Sequence, residues 1–101
     1  MGALRAFVTL LGARRYVDAG FCLGPRFGGT AQGMGGTLRS IRFGAAKPYG
    51  PASARRVRLR AVFMVVPRLA LWSRGANVRF VTLERSSAKE PWRISAVDTG
   101  P

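Results

Sequence analysis

The chain has 101 residues, 17 of them basic and 4 acidic, so its formal net charge is +13. A chain of this length forms one domain at most and has little room for a large enclosed active site. It contains no histidine, one cysteine and four scattered carboxylates, which excludes an internal disulfide and gives a poor inventory for a zinc site or for acid–base catalysis. We therefore expect no enzyme, no metal and no cofactor, and no pattern indicates a small-molecule substrate.

Residues 1–16 are predicted to form an amphipathic helix. Apolar side chains recur at helical spacing along one face of this segment, namely Leu4, Phe7, Val8 and Leu11. Arg5, Thr9 and Gly12 are turned away from that face. The periodicity is compatible with an ordinary amphipathic helix that packs on the β-hairpin predicted below.

The same segment also has the composition of a mitochondrial targeting peptide, since it carries arginine and no acidic residue. The run from Arg14 to Tyr16 is similar to the R-x-Y pattern that precedes many matrix-processing cleavages. A targeting peptide, a packed helix and a disordered terminus remain three alternatives. A secretory signal is not expected, because the apolar run is short and arginines flank its wrong end.

Residues 17–54 are rich in glycine and proline, and we predict a flexible segment there, because glycine raises the entropy of ordering the backbone. Two similar triplets lie within it, Arg26-Phe27-Gly28 and Arg42-Phe43-Gly44. Each pairs a cation with an aromatic ring, the combination with which single-strand binders meet phosphate and stack on bases. The alternative is a linker whose phenylalanines merely dock on the folded part.

Residues 55–98 carry the strongest structural pattern, and we predict a β-hairpin or meander there. From Val57 to Val66 apolar and arginine-bearing positions alternate, with Leu59, Ala61 and Phe63 on one face and Arg58 and Arg60 on the other. A second strand is predicted over residues 78–84, after a connection of about ten residues. A short third strand is predicted around Trp92, Ile94 and Ala96, which would share a face.

Two other interpretations of the central stretch are excluded. A single helix from Arg56 to Trp72 would contain Pro67, and a proline inside a helix costs about 3 kcal/mol. A membrane-spanning helix needs roughly 20 consecutive apolar residues, whereas the uncharged run beginning at Ala61 ends at Arg68. The fold class is therefore predicted to be small α+β or, failing that, largely irregular.

The densest cluster of positive charge lies on the first predicted strand. Arg58 and Arg60 would point the same way, about 6.6 to 7 Å apart by strand rise, and Arg79 on the second strand is predicted to join them. Trp72 and Arg74 in the connecting loop would add an aromatic stacking group beside a cation. The candidate nucleic-acid-binding residues are Arg55, Arg56, Arg58, Arg60, Trp72, Arg74, Arg79, Arg26, Phe27, Arg42 and Phe43.

The sequence predicts a basic RNA-binding protein, an accessory part of a ribonucleoprotein in mitochondria or in the nucleus or nucleolus, and not secreted. The combination of Arg-rich strands and Gly-rich extensions is similar in composition to small ribosomal proteins. One alternative is an interaction protein that docks on an acidic protein and gains order only in the complex. Another is the product of an incidental GC-rich reading frame, because fifteen of the seventeen basic residues are arginine.

Overall fold

The computed structural model describes residues 2–100. Within that range, three helices precede a four-stranded antiparallel sheet, which defines a small α+β domain. The helices are α1 (Gly2–Gly12), α2 (Tyr16–Gly20) and α3 (Ala31–Gly35). The strands are β1 (Leu38–Pro48), β2 (Arg56–Pro67), β3 (Gly75–Glu84) and β4 (Arg93–Asp98), and they follow one another as a meander in the order β1-β2-β3-β4.

Helix α1 confirms the amphipathic helix predicted at the N-terminus. Its apolar stripe is buried in the core, through Leu4, Phe7, Val8 and Leu11. Arg5 and Thr9 on the other side are exposed. The helix packs against the sheet, chiefly at β1, a strand that the sequence did not predict, rather than on the predicted hairpin. Whether the segment also serves as a targeting signal stays a prediction.

The central prediction of two antiparallel strands is confirmed by β2 and β3. Arg60 pairs with Phe80 and Ala61 with Arg79, and the ladder extends from Arg56 to Val65. Along β2 the side chains alternate between buried and half-buried, so that Leu59, Ala61, Phe63 and Val65 face the core. The connection covers residues 68–74 and is shorter than predicted, because β3 begins at Gly75 rather than at Val78.

The third predicted strand is confirmed as β4, but the prediction of its faces is wrong. Ile94 pairs with Leu83 and is buried, whereas Ala96 pairs with Thr82 on the opposite face of the sheet. The register shift between Thr82 and Leu83 inserts one extra residue, Ser95. A bulge of this kind reverses the side-chain alternation that the sequence pattern assumed.

The alternative of a largely irregular fold is wrong, and residues 17–54 contain secondary structure that the sequence did not reveal. They hold α2, α3 and the eleven-residue strand β1. Register shifts at Leu38/Ser40 and Phe43/Ala45 interrupt the period-two pattern of β1, which hid the strand. Whether the rest of the segment is mobile stays a prediction.

Several glycines of that segment mark close approaches between elements. A Cβ atom on Gly44 would lie 2.8 Å from the carbonyl oxygen of Val62 on the neighbouring strand. A Cβ atom on Gly35 would clash with the ring of Tyr16, so α2 and α3 pack closely at this position. These glycines are therefore required by packing, a role that composition alone does not distinguish from flexibility.

Candidate nucleic-acid interface

The helices cover one face of the sheet and leave the other without a helical layer. The core residues of β2, β3 and β4 all point to the covered face, among them Phe63, Val81 and Ile94. We call the opposite side the open face. It carries Ser40, Arg42, Ala45 and Lys47 from β1, Arg56, Arg58, Arg60, Val62, Met64 and Val66 from β2, Ala76, Val78, Phe80, Thr82 and Glu84 from β3, and Arg93, Ala96 and Asp98 from β4.

One row of the open face crosses all four strands. Lys47 pairs with Arg60, Arg60 with Phe80, and Phe80 with Asp98. Like charges directly opposite each other on neighbouring strands destabilise a sheet. Within residues 2–100 neither Lys47 nor Arg60 forms an ion pair, so the repulsion between them is unrelieved by the chain itself.

An aromatic cluster lies beside this row. The rings of Tyr49 and Phe80 meet edge-on with their centroids 4.9 Å apart. The guanidinium carbon of Arg58 lies 5.5 Å from the Tyr49 centroid, and the Tyr49 N–H donates to the Arg58 carbonyl at 2.9 Å. Arg58 Nε is buried and has no hydrogen-bond partner among the described residues. The cluster therefore combines two rings with a cation that retains an unused donor.

The positive charge continues towards both ends of the open face. At one end Arg42 and Arg74 line a shallow groove of about 230 Å³ over Met64 and Val66. At the other end Arg56 lies near Glu84, whose carboxylate is 3.8 Å from the Arg26 guanidinium. Arg26 is largely exposed, and an exposed pair of this kind contributes little to stability. The acidic residues thus lie towards the β4 side, and the β1–β2 side is left basic.

The structure brings six of the predicted nucleic-acid-binding residues to or near the open face and places the others elsewhere. Those on it or at its margin are Arg26, Arg42, Arg56, Arg58, Arg60 and Arg74. Arg55 is exposed just before β2. Phe43 pairs with Phe63 on the covered face, where the guanidinium carbon of Arg5 lies 4.5 Å from its ring centroid. Phe27 packs against the core from the loop before α3.

The prediction that Arg79 joins Arg58 and Arg60 is wrong. Arg79 pairs with Ala61 and therefore lies on the covered face, whereas Phe80 takes the place opposite Arg60. Its guanidinium carbon lies 4.3 Å from the ring centroid of Trp72. Trp72 is only 8 % exposed, donates from Nε1 to the Thr37 hydroxyl at 2.9 Å and meets Phe63 edge-on. Its ring therefore belongs to the core and offers no free face to a base.

Sequence reasoning missed three residues that the open face includes. Lys47 belongs to β1 and Tyr49 to the turn after it, a region that was predicted to be flexible. Phe80 was predicted to lie in a strand, but it was not named as a binding residue. Phe80 could have been found, since it alternates with Arg79 and so shares a face with its even-numbered neighbours. Tyr49 carried no usable signal, because its place depends on the bulged register of β1.

Other kinds of site receive little support from the described residues. Residues 2–100 bring no group of three cysteine, aspartate or glutamate side chains together to hold a metal ion. The Cys22 thiol is half-buried, and burial raises its pKa while the charge of Arg93 opposes that rise. None of the helices in this range has the length and apolar character that a membrane crossing requires.

No protein-family model matches the chain, and no curated protein or solved structure matches it either. Its function is therefore inferred from its own residues.

Proposed function

We propose that this protein binds single-stranded RNA on the open face of its sheet. The observation that carries the proposal is the unrelieved pairing of Lys47 with Arg60 beside the Arg58–Tyr49–Phe80 cluster. Phosphate would relieve the repulsion between the two cations, and the rings would receive a base. Both contacts are sequence-tolerant, since every nucleotide offers a phosphate and a flat base.

The charge of the whole chain supports the same partner. The chain has a net charge of +13. Among residues 2–100, none of the basic side chains on the β1–β2 side of the open face forms an ion pair with a carboxylate. Each phosphate neutralised by an arginine or lysine releases counterions, so affinity depends on the number of such contacts and falls with salt. Arginine adds a planar fork that binds phosphate through two hydrogen bonds, which lysine cannot reproduce.

The aromatic rings give a reason to expect single strands rather than duplexes. Bases within a duplex are already stacked on each other, whereas an unpaired base can stack on an exposed ring. Stacking of this kind contributes about 1–3 kcal/mol per base. Tyr49 follows the edge strand β1 directly and is only half-buried, so the residue retains accessible surface.

We place the protein as an accessory component of a ribonucleoprotein, in mitochondria or in the nucleus, and expect no catalytic activity of its own. An acidic protein partner would also meet the arginines of the open face, but it would make no use of the rings. Competition distinguishes the two kinds of partner. If the natural partner is an acidic protein, an acidic polypeptide should displace it and a short RNA should not.

The test is a salt titration of RNA binding followed by fluorescence anisotropy. A labelled oligouridine should bind more tightly than a duplex RNA of equal length, and its affinity should fall steeply as salt rises. Arg60→Gln should reduce the slope of log affinity against log salt by about 1. Polyglutamate should compete weakly at equal charge.

The matched control is Arg39→Gln, which removes the same charge from an exposed residue outside the open-face cluster. It should leave the salt slope nearly unchanged. A flat salt dependence would refute the proposal. Equal effects of the two substitutions would show that total charge, and not the open face, determines binding.

A further inference from the structure

A cleft lies beside the covered face at the β4 edge of the sheet, where it reaches Arg26, Ala96 and Asp98 at the margin of the open face. It is bounded by the loop before α3, by α3 itself, by the β2–β3 loop and by the end of β4, and its volume is about 630 Å³. Apolar side chains supply much of the lining, among them Phe27, Met34, Trp72 and Val97. Clefts of this size and character are typical of sites that hold small organic molecules.

Arg79 is the charged group set against this apolar lining. Its Nη1 donates to the Val78 carbonyl at 2.9 Å and its Nη2 to the Leu71 carbonyl at 2.8 Å. Together with the Trp72 ring at 4.3 Å, these contacts fix the orientation of the guanidinium group. Both hydrogen-bond acceptors are neutral, so the positive charge is oriented but not balanced.

No carboxylate among residues 2–100 forms an ion pair with Arg79. Asp98 is the only acidic residue in the lining, and it is exposed to solvent at the end of β4. Partial burial lowers the pKa of Arg79, which reflects the cost of removing its charge from water. An anion bound in the cleft would offset that cost, and arginine has further donors to offer it.

We propose that this cleft binds a small organic anion with an apolar, ring-containing body. The carboxylate or phosphate group would bind Arg79, and the ring would lie against Phe27, Met34 and Val97. Arg26 at the mouth would attract the anion electrostatically. The cleft shares Arg26 and the end of β4 with the margin of the open face, but Arg79 and the apolar lining take no part in the proposed RNA contacts, so its failure is distinguishable from a failure of RNA binding.

The first test uses 2-naphthoate as the probe and its neutral amide as the matched ligand, with binding measured by equilibrium dialysis. A hydrogen bond to a charged group is stronger than one between neutral groups. The carboxylate should therefore bind about tenfold or more tightly than the amide. Arg79→Gln should abolish this difference, whereas Arg39→Gln, which removes an equal charge elsewhere, should preserve it.

Arg79 also supports the β2–β3 loop, so a second measurement avoids dependence on the variant. Naphthoate added to the unaltered protein should shift the Trp72 indole N–H resonance in a ¹H–¹⁵N spectrum and leave that of Trp92 in place. The proposal is overturned if the amide binds as well as the carboxylate, if Trp72 does not respond, or if binding does not saturate at millimolar concentration.

Discussion

Arg58 and Tyr49 are joined twice, by the backbone hydrogen bond from the Tyr49 N–H to the Arg58 carbonyl and by the guanidinium carbon lying 5.5 Å from the ring centroid. The backbone bond extends the β1–β2 ladder one step beyond Pro48 and holds the ring against the open face. A cation and an aromatic ring are thereby fixed side by side.

Tyr49→Ala should weaken binding of single-stranded RNA by about 1–3 kcal/mol, because a stacking surface is lost. The salt slope should not change, since no phosphate contact is removed. Tyr49→Phe should retain the affinity, and Phe21→Ala, which removes a 70 % exposed ring from a distant helix end, should have no effect. Anisotropy titrations at two salt concentrations measure both quantities. A change of slope in Tyr49→Ala would contradict the assigned role.

Phe7→Ala should destabilise the fold by about 3–5 kcal/mol, because it leaves a cavity where a fully buried ring stood. That loss is a large part of the 5–15 kcal/mol by which domains are usually stable. Val17→Ala is the control on an 80 % exposed side chain, and it should change stability by less than about 0.5 kcal/mol. Urea unfolding followed by circular dichroism measures the difference.

The same packing makes a prediction about processing of the N-terminus. Cleavage after Tyr16 would remove all four core residues of α1. A chain beginning at Val17 should therefore unfold without a cooperative transition. A sigmoidal melt of that shortened chain would show that α1 is dispensable to the fold and would favour a cleaved targeting peptide.

Gly44→Ala should destabilise the protein by about 1–3 kcal/mol, since the added methyl would press on the Val62 carbonyl oxygen and force the strands apart. Gly28→Ala provides a matched control, because a Cβ atom there meets nothing within 4 Å. It should leave stability unchanged or raise it slightly. Equal thermal midpoints for the two variants would mean that β1 and β2 do not approach each other closely at Gly44.

The Cys22 thiol should ionise at higher pH than an unfolded cysteine, because burial raises its pKa above the ordinary value of 9.0, with Arg93 acting in the opposite direction. The folded state therefore favours the neutral thiol. The contribution of the protonated Cys22 thiol to the free energy of unfolding is complete below about pH 9, and it is lost as the pH rises through the raised pKa. The pH dependence of alkylation by iodoacetamide, compared with a peptide of residues 20–24, gives the shift directly.

Arg93→Gln should raise the alkylation midpoint further, since it removes the cation that favours the thiolate. A midpoint equal to that of the peptide would contradict the burial of Cys22.

The sequence allowed α1, β2 and β3 to be predicted because their apolar periods are uninterrupted. It could not reveal β1, where bulges break the period and Gly44 serves a close strand contact rather than a flexible turn. A shift of one residue moves a side chain to the other face of a sheet. This sensitivity explains why Ala96 was assigned to the face of Ile94. The partners of Trp72 were not predictable for a different reason, because this loop residue bonds Thr37, which is 35 residues away in sequence.

The core described above joins Leu4 near the beginning of the chain to Ile94 near its end. Because the ribosome releases the chain from its N-terminus, α1 emerges long before β4 exists to complete its surroundings. Helix α2 and strand β1 can cover part of the apolar side of that first helix early, whereas Ile94 is still missing from its surroundings. We therefore expect the core to become complete only after β4 has left the ribosome.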